Sequence, residues 1–141
     1  MLLPPIIIIR CLIGVCPILL GGVTYSIVKV RIKNHYSPAE IEQLIGNHLK
    51  VPDTKYWNYD KFVWRGAHFA CYNCYELADI EYRSIFKSKV DLLIASVYNK
   101  DVNYFSNIVE SVSRDVHCYF IQDNSSNYGD TRVTQPTKTA V

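Results

Sequence analysis

At 141 residues the chain is long enough for one compact domain of ordinary size and too short for several. A net charge of +2 with 20 % charged residues excludes a strong field for nucleic acid or an acidic partner. Eleven tyrosines and two tryptophans exclude a wholly disordered chain.

The first stretch, Leu2 to Val28, carries one charge, Arg10, and Cys11 to Val28 is 18 residues without any. That is the length of a helix crossing a ~30 Å hydrocarbon core, so the hydropathy predicts a single uncleaved transmembrane anchor. A cleaved secretory signal and a buried core helix compete with it. No basic n-region precedes the run, however, and Ile6 to Ile9 and Ile18 to Leu20 are apolar on all sides. Pro17 is tolerable inside a span, and Gly14, Gly21 and Gly22 would allow close helix approach. Lys29, Arg31 and Lys33 read as a basic collar at the membrane surface. The expected division is an anchor with its collar over 1–33, a small α+β domain over 34–122 and a flexible polar tail over 123–141.

Ser37-Pro38-Ala39-Glu40 is a capping box with Pro at N1. Ile41, Leu44, Ile45 and Leu49 then make one apolar face, which predicts a helix from Pro38 to about Leu49. Gly46 inside it is unfavourable by propensity. Phe62-Val63-Trp64 predicts a short strand in an aromatic, irregular region.

His68, Cys71 and Cys74 follow as H-x2-C-x2-C, and His117-Cys118 could close a metal site. A lone CxxC is a weak zinc signal, and a strand would point Cys71 and Cys74 to opposite faces. A disulfide from Cys118 to one of the pair is the other reading, with plain thiols preferred to both. No metal ligand, cofactor site or catalytic residue is therefore expected. No nucleophile-base pattern or Gly-rich phosphate loop stands out, and the four histidines are scattered.

Ile80, Tyr82 and Ser84 alternate with charged residues, which predicts a half-buried strand. Val90 to Tyr98 predicts a buried strand, and Val116 to Gln122 another. Between them, Val102, Phe105, Val109 and Val112 fall at helical spacing, while the Asn, Ser, Val and aromatic composition favours strand.

With Gly21-Gly22 in the first stretch, Leu44-Ile45-Gly46-Asn47-His48-Leu49 at the helix end, Ala78 to Tyr82, Val90 to Ile94, and Tyr104-Phe105 through Phe120-Ile121, the layout resembles the cytochrome c oxidase assembly factor 1 family of the mitochondrial inner membrane. Tyr56 to Cys74 stands as an insertion against that pattern. The resemblance implies α+β architecture: a transmembrane helix, then a short helix packed on a mostly antiparallel sheet, with 102–113 a strand. It implies a single-pass, non-enzymatic assembly factor in the intermembrane space, binding respiratory-chain subunits or assembly intermediates and membrane lipid, with no nucleic acid. Its structural or interaction candidates are Gly21, Gly22, Gly46, Cys71, Cys74 and Cys118. The alternatives are a membrane adaptor whose Lys138-Thr139-Ala140-Val141 end is a PDZ ligand, and a lumenal domain glycosylated at Asn124-Ser125-Ser126.

Overall fold

The structure is a computed structural model that describes residues 31–52 and 58–136, together with the backbone of 18–20 and 23–25. Strand β1 (Ile18–Leu20) pairs antiparallel with β2 (Val23–Tyr25), Leu20 opposite Val23. Only Gly21 and Gly22 separate them, and a Gly-Gly pair between β-branched runs is a hairpin signal. The first correction follows. The stretch expected to be one membrane-spanning helix holds a strand pair, and among the described residues no helix is long and apolar enough to cross a membrane. Uniform apolarity suits a buried strand as well as a lipid-facing helix, and the antiparallel pairing of β1 with β2 decides between them. The rest of Leu2 to Val28 lies outside the described residues.

Helix α1 (Pro38–Gly46) forms as its capping box dictates. Ser37 Oγ accepts from the Glu40 amide at 3.2 Å, and Glu40 Oε2 accepts from the Ser37 amide at 2.7 Å. Strands β3 (Lys61–Trp64) and β4 (Ala67–Asn73) are an antiparallel hairpin. Its two-residue turn puts Arg65 at φ 49° and Gly66 at φ 83°, positive at both central positions as a tight hairpin needs.

From β4 the topology becomes parallel. Strand β5 (Leu92–Val97) pairs parallel to β4, and β6 (Tyr119–Asn124) parallel to β5, while β7 (Arg132–Thr134) returns antiparallel to β6. The sheet order is β3-β4-β5-β6-β7. Parallel neighbours require crossovers, supplied by helices α2 (Ile80–Ser84) and α3 (Val102–Val112). The architecture is thus a mixed sheet with helical crossovers, which replaces the expected helix on a mostly antiparallel sheet.

Two local readings are corrected with it. Ile80 to Ser84 is a helix: Asp79 accepts from the Glu81 amide at 2.8 Å as an N-cap. Its alternation reflects no burial, since Ile80 is exposed. Val102 to Val112 is also a helix, capped by Asp101 accepting from the Tyr104 amide at 3.0 Å. Burial of Phe105, Ile108, Val109 and Val112 overrides their weak helix propensity.

Register places Ala70, Tyr72, Leu93, Ala95, Val97 and Phe120 on one sheet face, and they share a core with the α3 residues, Leu77 and Phe86. The polar stretch after Asp123, expected as a tail, carries the end of β6 and β7. Tyr128 and Gly129 both donate to the Ser125 carbonyl, which folds the chain back. Residues 137–141, with the expected PDZ ligand, lie outside the described residues.

Candidate active site

The carboxyl ends of three adjacent parallel strands open together, the place where sheets of this kind bind ligands. A cleft of about 720 Å³ lies there, lined by Asn73 and Cys74 at the end of β4, Ser96 and Tyr98 at β5, and Asp123 at β6. Lys33 and Glu40 line it from the segment entering α1.

Cys74 sits where β4 turns into a 3-10 turn, Cys74–Leu77, with φ 45°. A non-glycine residue held in the left-handed region is strained by ~1–3 kcal/mol, and such strain collects at functional sites. The bend lifts Cys74 off the strand so that it borders the cleft. Its Sγ lies 3.8 Å from the Tyr98 carbonyl oxygen.

The turn is held by Glu76, which is fully buried. Glu76 Oε1 accepts from Arg31 Nη1 at 2.7 Å and from the Asn34 amide at 2.7 Å. Oε2 accepts from Arg31 Nη2 at 2.6 Å and from the Asn73 amide at 2.7 Å. Arg31 Nη2 also donates to the Cys71 carbonyl at 3.1 Å. Four donors on one carboxylate, two of them from a guanidinium, satisfy the buried charge. They also bind the 31–34 segment to the turn that carries Cys74.

Lys33 lies inside that tied segment, with a side chain 1 % exposed, and its ammonium is paired with Glu40 Oε1. Glu40 therefore has two tasks: one oxygen caps α1 and the other holds Lys33. The expected basic collar is corrected here. Arg31 and Lys33 are buried, each on a carboxylate, and neither faces a membrane surface. Among the described residues, Lys33 is the one cation lining the cleft. A thiol, an ammonium and a carboxylate around one cleft are the parts of a nucleophilic site.

The remaining candidates fall elsewhere. Gly46 ends α1 with nothing within 4 Å of where a Cβ would stand, so no close approach explains it. Gly21 and Gly22 lie outside the described residues. Cys71 is buried in β4, and Cys118 is a buried thiol before β6, pushed up to about 11 by burial. Cys74 and Cys118 are free thiols. Among the described residues, no group of three metal-ligating side chains comes together. His68 pairs instead with Asp91, whose carboxylate also accepts from the His68 amide at 2.8 Å. That contact holds the Asp91 carboxyl below its usual range.

Sequence reasoning missed Lys33, Glu40 and Glu76 as a group. Ion-pair partners 7 and 45 residues apart leave no mark in spacing. The one sequence signal for Cys74 is its place in the His68, Cys71, Cys74 spacing, which reads as idle thiols.

No family model matches the chain, and no curated protein matches it. Solved structures do. A CN-hydrolase superfamily protein from Xanthomonas campestris, with an arsenic adduct in its active site, superposes with a TM-score of 0.57 at 14 % identity, over 77 % of this chain and 45 % of that one. An amidase of the nitrilase superfamily from Nesterenkonia AN1 superposes with a TM-score of 0.52 at 13 % identity, over 70 % and 36 %. Other structures of that amidase show acrylamide, and the acetamide moiety of fluoroacetamide, added at its active-site cysteine. The chain spans less than half the length of these proteins, and at this identity the likeness shows the fold.

The functional expectation is corrected accordingly. A mitochondrial, single-pass, non-enzymatic assembly factor required a membrane helix and an antiparallel sheet; the described residues hold no helix long and apolar enough to cross a membrane, and their mixed sheet has the fold of CN-hydrolase and amidase structures. The adaptor and lumenal alternatives lack the same support. Asn124 of the supposed sequon is buried, donating to the Asn99 carbonyl at 3.1 Å and accepting from the Asn99 amide at 3.2 Å.

Proposed function

We propose that the chain carries a thiol-nucleophile site for hydrolysis of a carboxamide, with Cys74 as the attacking group. The observation that carries this is the strained Cys74 at the mouth of a cleft shared with a buried Lys33 paired to a half-buried Glu40. The amidase structures that share the fold, with small amides joined to an active-site cysteine, support it.

In this reading the Cys74 sulfur attacks the amide carbonyl carbon and its proton passes to the Glu40 carboxylate. The Lys33 ammonium stabilises the negative charge that develops on the carbonyl oxygen. Collapse of the adduct breaks the C–N bond, and the departing nitrogen takes the proton and leaves as ammonia. Water then cleaves the thioester, releasing a carboxylic acid and restoring the thiol. The burial of Lys33 strengthens its field on the reacting atoms.

Ammonia release from a panel of small carboxamides tests the reading. Turnover by the native chain that disappears in Cys74→Ala is the expected result. Equal release by both proteins would refute it.

A further inference from the structure

Asn73, Ser96 and Asp123 stand in register across β4, β5 and β6, one polar side chain per strand on the same sheet face. All three border the cleft. The row begins beside Cys74 and ends at Asp123, two inter-strand steps away, so its backbone length is about 10 Å. Its charges are unbalanced. Lys33 is neutralised by Glu40, but Asp123 is exposed and accepts only a long contact of 3.4 Å from the Thr131 hydroxyl. Among the described residues it has no cationic partner.

Tyr98, which lines the same cleft as Asp123, follows β5 and is 65 % exposed. Its ring packs edge-on against Tyr128 with centroids 5.2 Å apart, which leaves an aromatic wall at the cleft rim. An exposed carboxylate and an aromatic ring lining one cleft are the combination that recognises an organic cation.

From this row we infer that the substrate is an amide whose far end is positively charged, an ammonium or a guanidinium about 10 Å from the scissile carbonyl. Asp123 is the specificity-determining residue and Tyr98 its aromatic partner. The inference rests on Cys74 as the reacting group and adds the class of substrate that reaches it. The row aligns an extended amide along the strand ends, with the carbonyl at the thiol and the cation at Asp123.

The test uses two thiol reagents of matched length, 6-(trimethylammonio)hexyl methanethiosulfonate and hexyl methanethiosulfonate, on the full chain. Each transfers its alkylthio group to a thiolate, forming a disulfide and releasing methanesulfinate. Labelling of Cys74 is followed by peptide mass spectrometry, and each rate is divided by that of a free cysteine peptide. The expected result is about tenfold faster labelling of Cys74 by the cationic reagent, a preference that shrinks with added salt and vanishes in Asp123→Asn. Equal labelling by both reagents, or a preference that survives Asp123→Asn, overturns the inference and leaves Cys74 as the reacting group. Failure of both reagents to reach Cys74 overturns the two together.

Discussion

Arg31 and Glu76, 45 residues apart, meet as a two-pronged ion pair with contacts of 2.7 and 2.6 Å inside the protein. The pair joins the segment carrying Lys33 to the turn carrying Cys74. Each Glu76 oxygen accepts one further backbone amide, from Asn34 and from Asn73, so the site is held by main chain as well as side chain. Glu76→Ala would take the carboxylate away from a buried guanidinium and from two backbone amides. Loss of one partner from such a pair costs about 3–5 kcal/mol, a large share of a domain's total stability. Denaturant unfolding should show that loss. A change below about 1 kcal/mol, within the range of exposed ion pairs, would mean that Glu76 does not hold the site together.

Strain at Cys74 is separable from its chemistry. Cys74→Ala and Cys74→Gly both remove the thiol, but only glycine adopts φ 45° without penalty. The glycine variant should be more stable than the alanine variant by about 1 kcal/mol, the reverse of their usual order in a regular element. Thermal melts of the two compare them directly. The usual order would show that the backbone at Cys74 is relaxed.

Alkaline pH should loosen the fold through Cys118. Burial raises its thiol from an ordinary 9.0 to about 11. The folded state therefore holds this proton more tightly than the unfolded state does. The resulting stability is complete below pH 9 and is lost as pH climbs towards 11. Burial raises the Tyr59 and Tyr72 hydroxyls above their ordinary 10.0 as well, which adds a loss of the same sign from about pH 10 upward, common to native protein and Cys118→Ala. Denaturation midpoints in native protein and Cys118→Ala should converge over that window. Parallel curves would mean that Cys118 titrates normally.

Gly46 ends α1 facing open space. Gly46→Ala should stabilise the chain by up to ~1 kcal/mol, because alanine restricts the unfolded backbone and meets no obstruction. A destabilised variant would reveal a close approach at this position.

The sequence made local features legible and long-range ones opaque. The Ser37-Glu40 capping box set the start of α1, and the β-branched run after Val90 marked β5. Periodicity identified α3, and the assembly-factor resemblance then turned the reading wrongly towards strand. The five-residue α2 was masked by an alternation of exposed side chains. Hydropathy outweighed the hairpin signal of the Gly21-Gly22 pair in the sequence between β1 and β2. The site itself depends on parallel pairing of β4, β5 and β6, which brings Cys74, Tyr98 and Asp123 together from three distant segments. Nothing in residue spacing encodes that pairing before the crossovers are known.

Whether Cys74 is the reacting thiol is settled most directly with fluoroacetamide. Attack by a thiolate on its methylene carbon forms a C–S bond and expels fluoride, leaving a carboxamidomethyl group of readable mass. The chain has five cysteines, so the label discriminates among them. Peptide mapping of the full chain should place the adduct on Cys74 alone, with no adduct on any cysteine in Cys74→Ala. An unmodified Cys74, or a label spread over the other cysteines, would contradict the account.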